Sequence, residues 1–214
     1  MKVSSSKEKI LKKIREALSN PVPLPFPKSE GSTAVFPPTN EDLEILFAKE
    51  FTALSGKFAF CIDEQDAQHQ LKQLIASQKW KDIFCVEKQL LSLFSPKLFP
   101  EINDASLANC EAAVTSCQYL IARTGAIVMS STGESGRTVS AYSPVHICIA
   151  YIDQLVFDSR DALKDLKIQT STLPSFITFA AGPSRTADIE KTLVIGVHGP
   201  KEVYVFLIDQ RSRK

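Results

Sequence analysis

The chain has 214 residues, 44% of them hydrophobic and 23% charged, with a formal net charge of +1. A compact chain of this length hides roughly 70% of the surface its unfolded form exposes, so a hydrophobic core alone can hold it, and the composition excludes disorder of the whole chain. Residues 1–30 hold seven Lys/Arg against three acids, a local +4 that leaves the other 184 residues at −3, and a basic tip on a near-neutral body argues against a nucleic-acid groove across that body.

The pattern opens with a short helix. Ser5 with Glu8 three residues on is in capping-box register, and Ile10, Leu11, Ile14 and Leu18 make one apolar stripe opposite a lysine-rich side. Six of the twelve prolines fall between residues 21 and 38, which predicts an extended, stiff link rather than helix or central strand. From about residue 40 helices and short apolar strands alternate. Helices are predicted at 41–54, 64–78, 88–94 and 159–166. Strands are predicted at 58–62, 82–86, 117–121, 126–130, 145–149, 155–157, 176–180 and 203–208. This order predicts an α/β fold with an open, mostly parallel sheet and helices on both faces. The expected organisation is a helix over 1–20, a link over 21–38 and one α/β domain over 39–214.

Five cysteines (Cys61, Cys85, Cys110, Cys117, Cys148) form no C-x-x-C pair, which is a poor disulfide, zinc or iron–sulfur pattern. No cofactor or metal is therefore expected in this chain. No apolar run reaches the length of a membrane span and no signal-peptide pattern is present, so a cytoplasmic protein is expected.

Six of the eight glycines lie between Gly125 and Gly199, which marks this half as the one with unusual turns. In open α/β sheets ligands bind beyond the carboxyl ends of strands. Three loops fit that description. Ser130-Ser-Thr-Gly-Glu-Ser-Gly-Arg137 offers hydroxyls, two glycines and an arginine as anion donors, or is a plain polar loop. After the strand at 176–180, Ser184 reads as the N-cap of a helix whose first turn would bind an anion beside Arg185; the alternative is a capped helix whose Asp188 only complements the dipole. Gly196-Val-His-Gly-Pro200 is a tight turn carrying His198, structural or ligand-binding. His146 reads as a partly buried, hydrogen-bonded histidine and His69 as solvated surface. The histidine spacing makes no metal set, and no G-x-S-x-G is present.

Ala122-Arg-Thr-Gly-Ala-Ile-Val128, Gly133-Glu-Ser-Gly-Arg137, Pro144-Val-His146, Gly182-Pro-Ser-Arg-Thr-Ala-Asp-Ile-Glu190 and Val197-His-Gly-Pro200 occur in this order. Together they resemble the LUD-domain proteins, in particular the lactate-utilisation protein C family, over roughly residues 40–210. Ala126 departs from the pattern, since many relatives carry Thr or Ser there. The resemblance implies a fold similar to sugar-phosphate isomerases and CoA transferases. It also implies a part in oxidising L-lactate to pyruvate with two partner proteins, at least one holding iron–sulfur clusters, this chain being the cluster-free component. The residues it marks for binding a small anion are Thr124, Gly125, Gly133, Glu134, Gly136, Arg137, His146, Gly182, Ser184, Arg185, Thr186, Asp188, His198 and Gly199. No catalytic residue is marked. A stand-alone protein or enzyme for a phosphorylated or CoA-like metabolite is the alternative, and an adaptor docking through its basic helix a third.

Overall fold

A computed structural model describes residues 5–19, 36, 39–104, 106–170, 174–187 and 193–209. The proline-rich link and Asp188 lie outside the described residues. The chain divides into two compact units, Met1–Thr39 and Asn40–Lys214. The first contains α1 (Ser5–Ser19), on which Ile10, Ile14 and Leu18 are exposed.

The second unit runs α2 (Leu43–Ala53), β1 (Lys57–Cys61), α3 (Glu64–Gln78), β2 (Ile83–Phe84), α4 (Lys88–Leu93), β3 (Ile102–Asn103), β4 (Ala112–Ser116), β5 (Tyr119–Ile121) and β6 (Ala126–Ser130). It continues with α5 (Val139–Tyr142), β7 (Val145–Tyr151), β8 (Leu155–Val156), α6 (Ser159–Thr170), β9 (Ile177–Ala180), β10 (Arg185–Ala187), β11 (Leu193–Ile195) and β12 (Glu202–Ile208).

Six strands form one sheet in the order β1-β12-β7-β4-β2-β3, with every pairing parallel. Such a sheet must be covered on both faces, because its strands are apolar on both sides. One face carries α3 and α4. Asp63 caps α3 by accepting the Asp66 N–H at 2.8 Å, and Ala67, Leu71 and Ile75 recur at helical spacing, buried against Ile83, Val114, Ile147 and Phe206. The other face packs Cys148, Ala150, Val205 and Leu207 against Phe47 and Phe51 of α2 and against Leu120, Ile127 and Met129.

Those last three belong to a second sheet, β8-β5-β6-β9, in which β6 is antiparallel to both β5 and β9. Its strands alternate with period two. Leu120, Ile127 and Met129 face the large sheet, while Tyr119, Ile121, Ala126 and Val128 face Ala162 and Leu166 of α6. The α/β class and the parallel sheet with helices stand as expected. The separate four-stranded sheet is an addition, because an apolar strand reads alike whether its neighbour is parallel or antiparallel.

Two further differences have local causes. β4 lies in a stretch expected to be irregular; Val114 and Thr115 favour a strand but its Ala112-Ala113 start does not, and burial in the sheet decides the conformation. The helix expected after Ser184 is instead β10, paired antiparallel with β11 through Arg185↔Ile195, Thr186↔Val194 and Ala187↔Leu193. There the Ser184 amide donates to Pro200 O at 2.9 Å, and its carbonyl accepts the Gly196 N–H at 3.0 Å. Backbone partners from a later segment thus replace the helix that local sequence favours. Among the described residues no helix is long and apolar enough to cross a membrane.

Candidate functional site

The site grows from the start of β7. His146 is its second residue and is buried against β4. Its Nε2 lies 2.8 Å from Thr115 Oγ1, and that hydroxyl donates its own proton to Ser116 O at 2.9 Å. A hydroxyl has one proton, so the network assigns the Nε2 proton to histidine and leaves Nδ1 as the ring's acceptor. Burial removes water from the charged form and pushes the His146 pKa down from 6.5 to about 4, so the ring is neutral at pH 7.

Three loops are sewn together above this histidine. Besides the two Ser184 backbone bonds, the Lys201 amide donates to Pro144 O at 2.8 Å, tying the entry of β12 to the entry of β7. Gly199 has φ +149°, and a β carbon there would lie 2.8 Å from Ser184 Cβ, so the close approach of the two loops requires glycine. The resulting cavity measures about 320 Å³ and is lined by His146, Gly182, Ser184, His198 and Gly199, with Ser140 and Thr178 adding hydroxyls. It opens beside the amino ends of β7 and β12, not at the carboxyl ends expected from the general rule for open sheets. The reason is chain order, because the Gly196–Pro200 turn joins the β10–β11 hairpin, which lies outside the large sheet, to the amino end of β12.

A second, small cavity of about 20 Å³ adjoins it, sharing Met129 and Ser140, with Gly133 and Gly136 in its wall. It has room for about one water molecule beside the buried Gln118 Oε1, which has no partner among the described residues. The Gly133 loop is latched to the β2–α4 turn. Glu87, nearly buried, accepts the Ser116 N–H on both carboxylate oxygens at 3.0 and 3.1 Å and the Ser135 hydroxyl at 2.6 Å, while Glu134 accepts the Lys88 N–H at 2.8 Å.

Of the residues marked from sequence, five therefore converge on one cavity: His146, Gly182, Ser184, His198 and Gly199. Gly133 and Gly136 are next door, and Glu134 holds its loop in place. Arg137 donates to Ser175 Oγ at 2.5 Å with its guanidinium 5.8 Å from the Phe176 ring centroid, and Arg185 donates to Leu54 O at 2.7 Å and Ser55 Oγ at 3.0 Å. Neither arginine is among the residues lining the two cavities. The β6–β9 register explains the split. Ser130 pairs with Ile177 and Ile127 with Ala180, so loops that each follow a strand leave opposite ends of an antiparallel pair.

Thr124 and Gly125 lie in the turn between β5 and β6, and Gly125 abuts the backbone of α2 rather than either cavity. Thr186 is a backbone partner in the β10–β11 hairpin. His69 sits on the exposed side of α3 against Gln73, as expected of solvated surface. The sequence reading missed Thr115, Ser140, Thr178 and Glu87. Only Glu87 had a local signal, a lone acid between the apolar run Ile83–Val86 and a helix.

The sequence model of the LUD domain matches residues 45–208, three quarters of the chain and all of the elements that build the cavity. This chain belongs to the LUD domain family. A Lactate utilization protein C of Shouchella clausii is 31% identical over 166 residues, covering 73% of this chain and 71% of that protein. An uncharacterized protein of Neisseria meningitidis is 34% identical over 100 residues, covering 47% of this chain and 43% of its own length. The alignment with this protein, and that with a further Lactate utilization protein C from Halalkalibacterium halodurans, each span under half of the relative's length. The crystal structure of a DUF162 family protein from Deinococcus radiodurans shares the fold at 16% identity, with a TM-score of 0.60 over 80% of this chain and 99% of that one.

Among the described residues no group of three or more His, Cys, Asp or Glu is placed to hold a metal ion. All five cysteines are buried. Burial pushes the Cys61 thiol up to about 12 and Cys85 to about 11, with nearby carboxylates adding to both, so both are protonated thiols at pH 7.

Proposed function

We propose that this LUD domain serves lactate utilisation as a binding component, taking a small 2-hydroxy carboxylate such as L-lactate in the cavity over His146. The observation that carries the reading is the pairing of opposite hydrogen-bond roles in one small space. The His198 ring and the hydroxyls of Ser140, Thr178 and Ser184 supply donors suited to a carboxylate, and the neutral His146 ring has an acceptor nitrogen suited to the 2-hydroxyl. Relatives bearing the lactate-utilisation name support the metabolite class. In this reading the redox chemistry belongs to iron–sulfur partner proteins. The absence of any C-x-x-C pair from the sequence supports assigning the clusters to them.

Calorimetric titration of the full chain with L-lactate tests the proposal. His198→Ala removes a polar group facing the carboxylate and is expected to weaken binding about tenfold, the cost of one hydrogen bond to a charged group. Arg185→Ala, which acts at the Leu54 turn, is expected to leave affinity unchanged. Equal affinity in wild type and His198→Ala, or no saturable heat at all, would overturn the assignment.

A further inference from the structure

α1 carries a pattern that the cavity over His146 does not use. Its 15 residues hold five Lys/Arg against two Glu, a net +3, and every described side chain on it is exposed. At about 100° per residue, Ile10, Leu11, Ile14 and Leu18 fall within one arc of about 100°. They are 56%, 38%, 48% and 73% exposed. An isolated helix of about this length is marginal in water, so its stability comes from whatever covers that arc.

Charge selects the kind of surface. Lys13 lies about 60° beyond one border of the arc and Arg15 about 40° beyond the other, and Glu8 and Glu16 each lie farther from the stripe than the cation on their side. Glu16 is 3.9 Å from Lys12, opposite the stripe. Lys7, in the first turn, is the one charged residue within the arc, and a lysine stem is long enough to carry its ammonium out to a polar layer. An anionic lipid interface presents negative charge along both borders of an embedded helix, with acyl chains beneath the apolar arc. A protein groove meets the same pattern only with an acidic lip on each side of an apolar floor.

We infer that α1 is an interfacial anchor, which lays Ile10, Leu11, Ile14 and Leu18 into the surface of an anionic membrane with Lys13 and Arg15 at the headgroups. The inference is independent of the ligand taken by the cavity over His146. Four aliphatic side chains give reversible attachment, so surface charge decides whether the chain is bound.

The test co-sediments the full chain with vesicles of phosphatidylcholine alone and of phosphatidylcholine and phosphatidylglycerol in about equal parts. Binding to the anionic vesicles at least about tenfold stronger than to the neutral ones, and weakened by raised salt, is the expected result. Lys13→Gln and Arg15→Gln are each expected to weaken it about fivefold, and Ile14→Asn at least about tenfold. None of the three is expected to change the melting curve or the L-lactate titration. Equal binding to both vesicles, no binding to either, or an affinity indifferent to all three substitutions would overturn the inference. A lowered melting temperature in Ile14→Asn would also overturn it, by showing that the stripe packs against the rest of the chain. So would a concentration-dependent dimer in light scattering that Ile14→Asn abolishes, since a second copy would then be the occupant.

Discussion

Gly125→Ala is expected to destabilise the second unit by about 2–5 kcal/mol, a large fraction of the stability of an ordinary domain. Two effects add. Gly125 has φ +57°, where a β carbon costs roughly 1–2 kcal/mol, and that carbon would lie 2.5 Å from Phe51 N and 2.7 Å from Glu50 C. Both are backbone atoms of α2, which cannot rotate away as a side chain would. The helix must shift, and overpacking of this kind costs roughly 1–3 kcal/mol. Gly136→Ala is the control. It has φ +64° but nothing within 4 Å of the added carbon, so only the backbone cost, about 1 kcal/mol, remains. Urea unfolding followed by circular dichroism measures both. A loss under about 1 kcal/mol for Gly125→Ala would show that α2 is not seated on the β5–β6 turn.

The second large effect is one of pH. His146 is buried with its pKa lowered from 6.5 to about 4. Below pH 6.5 the unfolded chain takes up a proton on this residue that the folded chain refuses, so falling pH favours unfolding. Stability is unaffected above that value and falls by up to about 1.4 kcal/mol per pH unit below it, levelling off near the folded value. The total is about 3 kcal/mol. Asp158 and Glu202 also have lowered pKa values, Asp158 through hydrogen bonds from the Arg160 amide and Arg123, Glu202 through Lys57 and Tyr204, and their losses begin at lower pH. The His146 share is therefore the part of the slope between pH 6.5 and 5 that His146→Gln removes, read from urea midpoints in matched buffers. An unchanged slope in that variant would mean that the ring is protonated, or reached by water, in the folded protein.

The large sheet was legible because its strands are apolar runs separated by helices with clear periodicity. α3 is the plainest case, with a capping Asp63 and buried residues at steady helical spacing. β4 was not, since Ala112 and Ala113 carry no strand signal and owe their conformation to neighbours on both sides. For the candidate site, residue types marked several loops that the fold brings to one cavity, but not their meeting point. Gly182, Ser184, His198 and Gly199 come together because Ser184 bonds Pro200, a contact between segments that no local pattern encodes. The two arginines lie away from that cavity for a related reason. A guanidinium near glycines suggests an anion clamp, yet Arg185 satisfies the Leu54 carbonyl and Arg137 lies over Phe176. Glu87, deep beneath the Gly133 loop, became visible only when β2 and β4 were paired, since its partner Ser116 lies far along the chain.

The central claim is that the cavity over His146 is where a 2-hydroxy carboxylate binds. Titrating the isotope-labelled full chain with L-lactate and following its amide and imidazole resonances tests it most directly. The account predicts saturable shifts at Gly182, Ser184, His198 and Gly199 together with the His146 ring. Saturable shifts confined to residues away from this cavity, or no saturable shift anywhere, would contradict it.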